Sequence, residues 1–260
     1  MVYANAKKRA ADFPWRKSIT PYKVLVSEIM LQQTQAERVT EKFIRFIVEF
    51  PTIAQLASTP QEKLLTAWQG LGYNRRALML QRCAQSVMQE RNGSIPCDEA
   101  LLQKLPGIGP YTASAIMAFA HNKPAVVIET NIRRVFIHHF FADQTGIHDK
   151  QLIPLIRQTI DTNSPRKWYS ALMDYGAYLK TQIENPNRRS AHYAKQSKFK
   201  GSLREVRGKI LRTLLTKQPL TVKQIERELD LERTKINQAL DSLTKEKFLK
   251  KCGSGYLIGQ

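Results

Sequence analysis

Cysteine is scarce: 260 residues hold only Cys83, Cys97 and Cys252. An odd number at wide spacing fits reduced thiols better than a disulfide framework. Three such sulfurs cannot by themselves hold a metal or an iron–sulfur cluster, and no histidine pair has zinc spacing, because His138 and His139 face different ways on a helix. No stretch approaches the roughly 20 apolar residues of a membrane-spanning helix. The start, Met1-Val2-Tyr3-Ala4-Asn5-Ala6-Lys7, lacks the apolar core of a secretory signal, so a cytoplasmic protein is expected. Acidic residues are few: 22 Asp and Glu stand against 41 Lys and Arg, giving a net charge of +19 and a pI near 10.0. A protein this basic usually meets a polyanion, most often nucleic acid. A basic surface kept only for solubility is the plain alternative. An anionic membrane would call for a polybasic amphipathic helix or a lipidation signal, and neither is found.

What is present is enough for a folded chain. Hydrophobic residues make up 42% and charged residues 24%, which excludes wholesale disorder, and the length allows one large or two modest domains. Residues 22–184 read as helices with short connections, with apolar positions recurring at three and four. Thr59-Pro60-Gln61-Glu62 offers an N-cap with Pro60 at the first helical position, and Asn163-Ser164-Pro165 another start. Pro124-Ala125-Val126-Val127-Ile128 is a short apolar run that could be a strand or part of a helix. From Glu184 to Ser202 the pattern stops, and this basic, turn-prone stretch reads as a linker or extended arm. Residues 203–260 then give a helix carrying Val206, Ile210, Leu211, Leu214 and Leu215. A capping box at Thr221–Gln224 opens a short second helix, and a third carries Ile236, Leu240 and Leu243. Two short strands around Gly253-Ser254-Gly255 close the chain. Three helices and a hairpin make the winged helix-turn-helix pattern, used to contact either DNA or protein.

Two local motifs carry chemistry. Leu105-Pro106-Gly107-Ile108-Gly109-Pro110-Tyr111 joins a helix at 99–104 to one at 111–120. Glycines at Gly107 and Gly109 permit positive φ and leave backbone N–H groups open, and Pro110 suits a first helical position, so the second helix offers an anion site. This resembles the helix-hairpin-helix element, which holds a DNA phosphate and often a monovalent cation; Na+ or K+ is expected at residues 105–110. Downstream, Glu129-Thr130-Asn131 precedes a helix beginning with Arg133 and Arg134. Glu129 reads either as an acid favoured only by the helix dipole or as a functional carboxylate.

The segment Phe13-Pro14-Trp15-Arg16, followed by Ser27-Glu28-Ile29-Met30-Leu31-Gln32-Gln33-Thr34-Gln35, resembles the MutY-type adenine DNA glycosylases of the helix-hairpin-helix superfamily. Trp68-Gln69-Gly70-Leu71-Gly72-Tyr73 and Met173-Asp174-Tyr175-Gly176-Ala177 extend the likeness over about residues 12–180. The resemblance implies an all-α, two-lobed glycosylase fold over residues 1–184. One lobe is expected at about 22–128 and the other from 1–21 plus 129–184, with the arm at 185–202 and the winged helix at 203–260. It implies that Glu28 protonates a mispaired adenine opposite G or 8-oxoguanine, that Glu129 stabilises the sugar cation, and that Tyr111 and Asn131 position them. The family's wedge residues match Gln33 and Tyr73, although Tyr73 could be an ordinary core ring. Trp15, Arg16, Leu31 and Asp174 fall at the base pocket. Gly107, Gly109, Arg133, Arg134, Arg233 and Lys235 are expected on DNA.

Three departures qualify the likeness. Glu129-Thr130 stands where the family has Asp-Gly, a shift of more than about 1 Å for the carboxylate. The four-cysteine cluster loop that normally follows Gly176-Ala177 is replaced by residues 178–198, which hold no cysteine, so no iron–sulfur cluster is expected and the basic segment packs or binds DNA instead. The 8-oxoguanine-reading domain gives way to the winged helix. Tyr111, standing where related enzymes carry a Schiff-base lysine, implies a monofunctional enzyme with little or no lyase activity. The expected partner is mismatched or damaged double-stranded DNA, met as a monomer associated with the nucleoid. The alternatives are a glycosylase for T or U opposite G and a catalytically silent DNA-binding protein.

Overall fold

The computed structural model describes residues 2–7, 11–194 and 198–259. The elements run α1 (Val2–Ala6), α2 (Pro21–Leu31), α3 (Ala36–Glu49), α4 (Ile53–Ser58), α5 (Gln61–Trp68), α6 (Arg75–Arg91), α7 (Glu99–Gln103), α8 (Pro110–Phe119), α9 (Thr130–Phe140), α10 (Asp149–Thr159) and α11 (Pro165–Gln182). There follow α12 (Leu203–Leu214), β1 (Leu220–Thr221), α13 (Val222–Leu229), α14 (Arg233–Lys245), β2 (Leu249–Cys252) and β3 (Gly255–Ile258), with 3-10 turns at Pro14–Arg16 and Pro186–Arg189. The chain is mainly helical, as expected. It divides into one unit of Met1–Phe43 with Ser86–Lys195 and another of Ile44–Gln85 with Gln196–Gln260. This grouping differs from the expected bounds, because residues 44–85 go with the C-terminal segment.

In the first unit α9 and α11 carry the core, with Ile132, Val135, Phe136, Ile137, Tyr169, Leu172 and Tyr175 buried together. Each such side chain contributes about 1.5–3 kcal/mol on burial. The apolar run 124–128 forms neither strand nor helix. Its polar groups are served by one side chain: Tyr169 OH donates to Ala125 O (2.5 Å) and accepts from Val127 N (3.3 Å). Small residues Ala113, Ser114, Ala115 and Ala118 are buried on α8, and Ser114 Oγ donates to Glu99 Oε1 at 2.8 Å.

The basic stretch expected as a linker or arm packs in part, one of the two outcomes expected where it replaces the cluster loop. Asn187 is 5% exposed and its Nδ2 donates to Thr130 O at 2.8 Å. Ile147 N donates to Arg189 O (3.0 Å) and Ala191 N to Ile147 O (2.9 Å), while Arg189 also reaches Phe141 O (2.8 Å) and Ala142 O. Residues 185–191 are therefore docked. Their polarity misled because their partners are backbone carbonyls rather than apolar neighbours. Residues 195–197 of the expected arm lie outside the described residues.

In the second unit Phe46 packs edge-on to Trp68 (5.9 Å) and Phe50 (4.8 Å). The expected start at Thr59 moves by one residue, since Pro60 itself is the N-cap of α5 and makes no side-chain cap bond. The capping box at Thr221 and Gln224 forms as expected. The hairpin β2–β3 gains a strand that sequence alone missed: β1, only two residues long, pairs antiparallel with β3 in the order β1-β3-β2. Gln61 Nε2 donates to Lys247 O (3.1 Å) and Phe248 O (3.2 Å), joining α5 to the C-terminal segment.

Candidate active site

Glu28 sits in the second half of α2 with Val24, Leu25, Val26, Ile29 and Met30 buried around it, and is itself only 6% exposed. Thr20 starts this helix by accepting from Lys23 N at 3.2 Å, with Pro21 in its first turn. Tyr111, in the first turn of α8, donates its hydroxyl to Glu28 Oε2 at 3.1 Å. Burial pushes Glu28 up to about 7; the Tyr111 hydrogen bond opposes this and the charge of Glu129 adds to it. Burial also drives the Tyr111 phenol well above its ordinary value, reinforced by both carboxylates.

Glu129 is the N-cap of α9. Its Oε1 accepts from Asn131 N (2.7 Å) and Ile132 N (2.8 Å), and its Oε2 from Asn131 Nδ2 (3.3 Å). Burial raises its pKa, while those amides and then Arg134 and Arg133 pull it down. The capping and functional readings of Glu129 are therefore compatible: the helix start fixes the carboxylate beside Asn131.

Several expected DNA contacts are corrected. Arg134 is 3% exposed and donates to Asn131 Oδ1 (2.6 Å), Gly176 O (2.6 Å) and Asn185 Oδ1 (3.1 Å). It braces the site from within rather than gripping phosphate. Arg133 is held bidentately by Asp149 at 2.7 and 2.8 Å. Among the base-pocket residues, Arg16 is tied to both oxygens of Asp174 (3.0 and 2.8 Å), and Trp15 is buried, stacked on Phe13 at 4.7 Å. Arg16 and Asp174 fix the N-terminal turn to α11, while Trp15 packs edge-on to Phe43 of α3 at 5.7 Å. Leu31 ends α2, half-buried.

Gln33 and Tyr73, expected as wedges, are both exposed and both left-handed, with φ of 54° and 46°. Non-glycine residues rarely sit there outside constrained sites. In the hairpin only Gly107 needs positive φ (78°); Gly109 is extended and caps α8, correcting the reading that both glycines turn the chain. Both are exposed beside the start of α8. Arg233 and Lys235 are exposed at the start of α14, Lys235 within 3.3 Å of Glu232.

Three contributors escaped the sequence reading: Gly176, Asn185 and Asn187. A Cβ on Gly176 would lie 2.3 Å from Asn131 O, so only glycine lets α11 approach α9 here. Asn185 and Asn187 join through Arg134 and Thr130. Glycine at 176 within a helical pattern was the available signal. Among the described residues, no group of three His, Cys, Asp or Glu could hold a metal ion, and no helix is long and apolar enough to cross a membrane.

Residues 26–158 match the profile described as HhH-GPD superfamily base excision DNA repair protein. The adenine DNA glycosylase of Mycolicibacterium smegmatis is 32% identical over 97% of this chain and 92% of its own length. That of Buchnera aphidicola subsp. Baizongia pistaciae is 38% identical over 64% of this chain, and that of Homo sapiens 36% over 65%. The matches cover 48% and 33% of those two proteins, so the chain spans about half or less of their length. Among solved structures, a thermostable thymine-DNA glycosylase superposes with a TM-score of 0.64 at 26% identity, over 71% of this chain and 87% of that one. An endonuclease III–DNA complex gives 0.54 at 19%, over 68% and 81%, a likeness of fold alone. The chain belongs to the HhH-GPD superfamily of base excision DNA repair proteins.

Proposed function

We propose that the chain is a monofunctional DNA glycosylase that hydrolyses the N-glycosidic bond of adenine mispaired with G or 8-oxoguanine. The observation that carries this is the buried Glu28, raised to about 7 and hydrogen-bonded by Tyr111, in the same unit as the helix-capping Glu129. A proton passes from Glu28 to adenine N7. The bond from the sugar C1′ to N9 breaks with its electron pair going to the base. Glu129 faces the positive charge left on the deoxyribose, water adds to C1′, and the water proton returns to Glu28. Tyr111 in place of a lysine leaves no amine for a Schiff base there, in keeping with little lyase activity.

The partner is double-stranded DNA with a mismatch, met by a monomer in the cytoplasm at the nucleoid. Its phosphate rests on the 105–110 hairpin, where a monovalent cation can also sit. The winged helix of residues 203–260 adds grip through Arg233 and Lys235. The enzyme works without an iron–sulfur cluster. Cys83 is buried, Cys97 and Cys252 are exposed, and the segment that follows α11 has no cysteine.

Single-turnover cleavage of duplexes carrying A·8-oxoG, A·G, T·G and U·G, with and without alkali, tests the reading. Adenine release that needs alkali for strand breakage and vanishes in Glu28→Gln is expected. Product from T·G or U·G alone would favour a second reading, for which the likeness to a thymine-DNA glycosylase speaks. Binding without product would mean a silent DNA-binding protein. An absorbance band near about 410 nm in purified protein would overturn the cluster-free reading.

A further inference from the structure

Tyr73 lies in the turn between α5 and α6, and that turn is built by arginine. Arg76 donates to Leu71 O (3.3 Å) and Gly72 O (3.1 Å), with its guanidinium 5.5 Å from the Trp68 ring centre and 5.5 Å from that of Tyr73. Trp68 Nε1 also donates to Gly72 O at 3.2 Å. These bonds fix the backbone. They do not by themselves set the rotation of the aromatic side chain, which is 37% exposed.

A second cation comes from far along the chain. Arg204, in the first turn of α12, donates from Nη1 to the Tyr73 hydroxyl at 2.9 Å, with its guanidinium 6.0 Å from the ring centre. Arg207, one turn after Arg204, ties α12 to Ser242 and Glu246. The C-terminal segment thus holds the turn at the tip of the Tyr73 side chain.

We propose that Arg204 is a positioning residue for Tyr73, through which the C-terminal winged helix sets the ring for insertion into the base stack. This rests on the reading of Tyr73 as the wedge of a base-extruding enzyme. A ring bonded at its hydroxyl and flanked by two guanidinium groups has little rotational freedom left, so it meets the duplex already oriented. The winged helix then takes part in base extrusion as well as in binding phosphate.

The experiment uses the full-length protein with a duplex carrying 2-aminopurine opposite G, whose fluorescence rises as the base leaves the stack. It is read at saturating protein beside the affinity for the same duplex. Arg204→Ala is expected to lower the fluorescence amplitude and the single-turnover rate about tenfold, with a smaller change in Kd. Arg204→Lys, which keeps a cation and a donor, is expected to restore part of the loss. Tyr73→Phe, which removes the acceptor, is expected to cause part of the same loss, and the double variant Arg204→Ala with Tyr73→Phe no more than Arg204→Ala alone. Losses that add independently, or a lowered affinity with unchanged amplitude at saturation, would make Arg204 a plain phosphate ligand and overturn the proposal. Wild-type protein that extrudes the base but releases no adenine would sink the adenine glycosylase reading and leave the role of Arg204 standing. Wild-type protein that gives no fluorescence rise at all would remove Tyr73 as a wedge, and Arg204 with it.

Discussion

Tyr111 and Glu28 oppose each other's environment. The phenol donates across 3.1 Å to a carboxylate and so favours its ionised form, while burial favours the neutral one, and burial wins. Glu28 therefore titrates at about 7, where a proton donor is most useful. Because the proposed reaction needs the protonated acid, the single-turnover rate is expected to fall about tenfold per pH unit above that value. Tyr111→Phe removes the one hydrogen bond that lowers the pKa, so the alkaline limb is expected to move to higher pH. A limb that stays in place would remove the hydrogen bond as a tuning element.

The same raised pKa acts on stability. Folded Glu28 holds its proton up to about 7, against 4.5 for the ordinary carboxyl. Stability linked to this group is full below 4.5 and is lost as pH rises through 7. Glu28→Gln is expected to abolish cleavage and, near pH 8, to stabilise the fold by about 3 kcal/mol. Urea denaturation at about pH 5 and about pH 8 should show that advantage growing with pH.

Gly176 permits the close passage of α11 over Asn131 O, which a methyl group would block at 2.3 Å. Since the obstacle is backbone, Gly176→Ala must part the helices. It is expected to destabilise by about 2–4 kcal/mol and to displace Asn131 from Glu129. Thermal denaturation and single-turnover cleavage should fall together.

Arg134 offers the sharpest contrast with the expectation of a phosphate ligand. Its replacement by Met removes the hydrogen bonds to Asn131 Oδ1, Gly176 O and Asn185 Oδ1, the last of which keeps a donor in Asn187 N, and should cost about 3 kcal/mol or more. The salt dependence of DNA binding by the surviving folded fraction is expected to match wild type. A shallower slope would return Arg134 to the DNA surface.

Arg233 and Lys235 make the opposite case. Both are exposed at the start of α14, so Arg233→Ala with Lys235→Ala is expected to leave the melting temperature near wild type. The slope of log K against log salt should become shallower by about 0.9 for each phosphate no longer neutralised. An unchanged slope would point the C-terminal segment toward a protein partner.

The residues proposed to carry the chemistry are legible because they sit in short motifs. Glu28 and Tyr111 carry their neighbours with them, and Glu129 announces a helix start by standing two residues before Asn131. Binary pattern also gave α12 and α14, whose expected apolar positions are buried at Val206, Ile210, Ile236, Leu240 and Leu243. What escaped is whatever depends on distance along the chain. Arg134 looks like a surface arginine until Gly176, 42 residues on, accepts from it. Asn187 looks like linker until Thr130 supplies its acceptor. Charge counting could not separate arginines that brace the fold from those free to meet phosphate, and α9 holds two of the former.

In the proposed role of Gln33 and Tyr73 as wedges, their left-handed backbone bears on how the protein meets DNA. Holding a side-chain-bearing residue in that conformation costs roughly 1 kcal/mol, and the cost falls on folding, once per molecule. Each encounter with a base pair then requires no loop to be ordered and none to relax afterwards. A wedge built this way suits the proposed search for rare mispairs among a great excess of intact pairs.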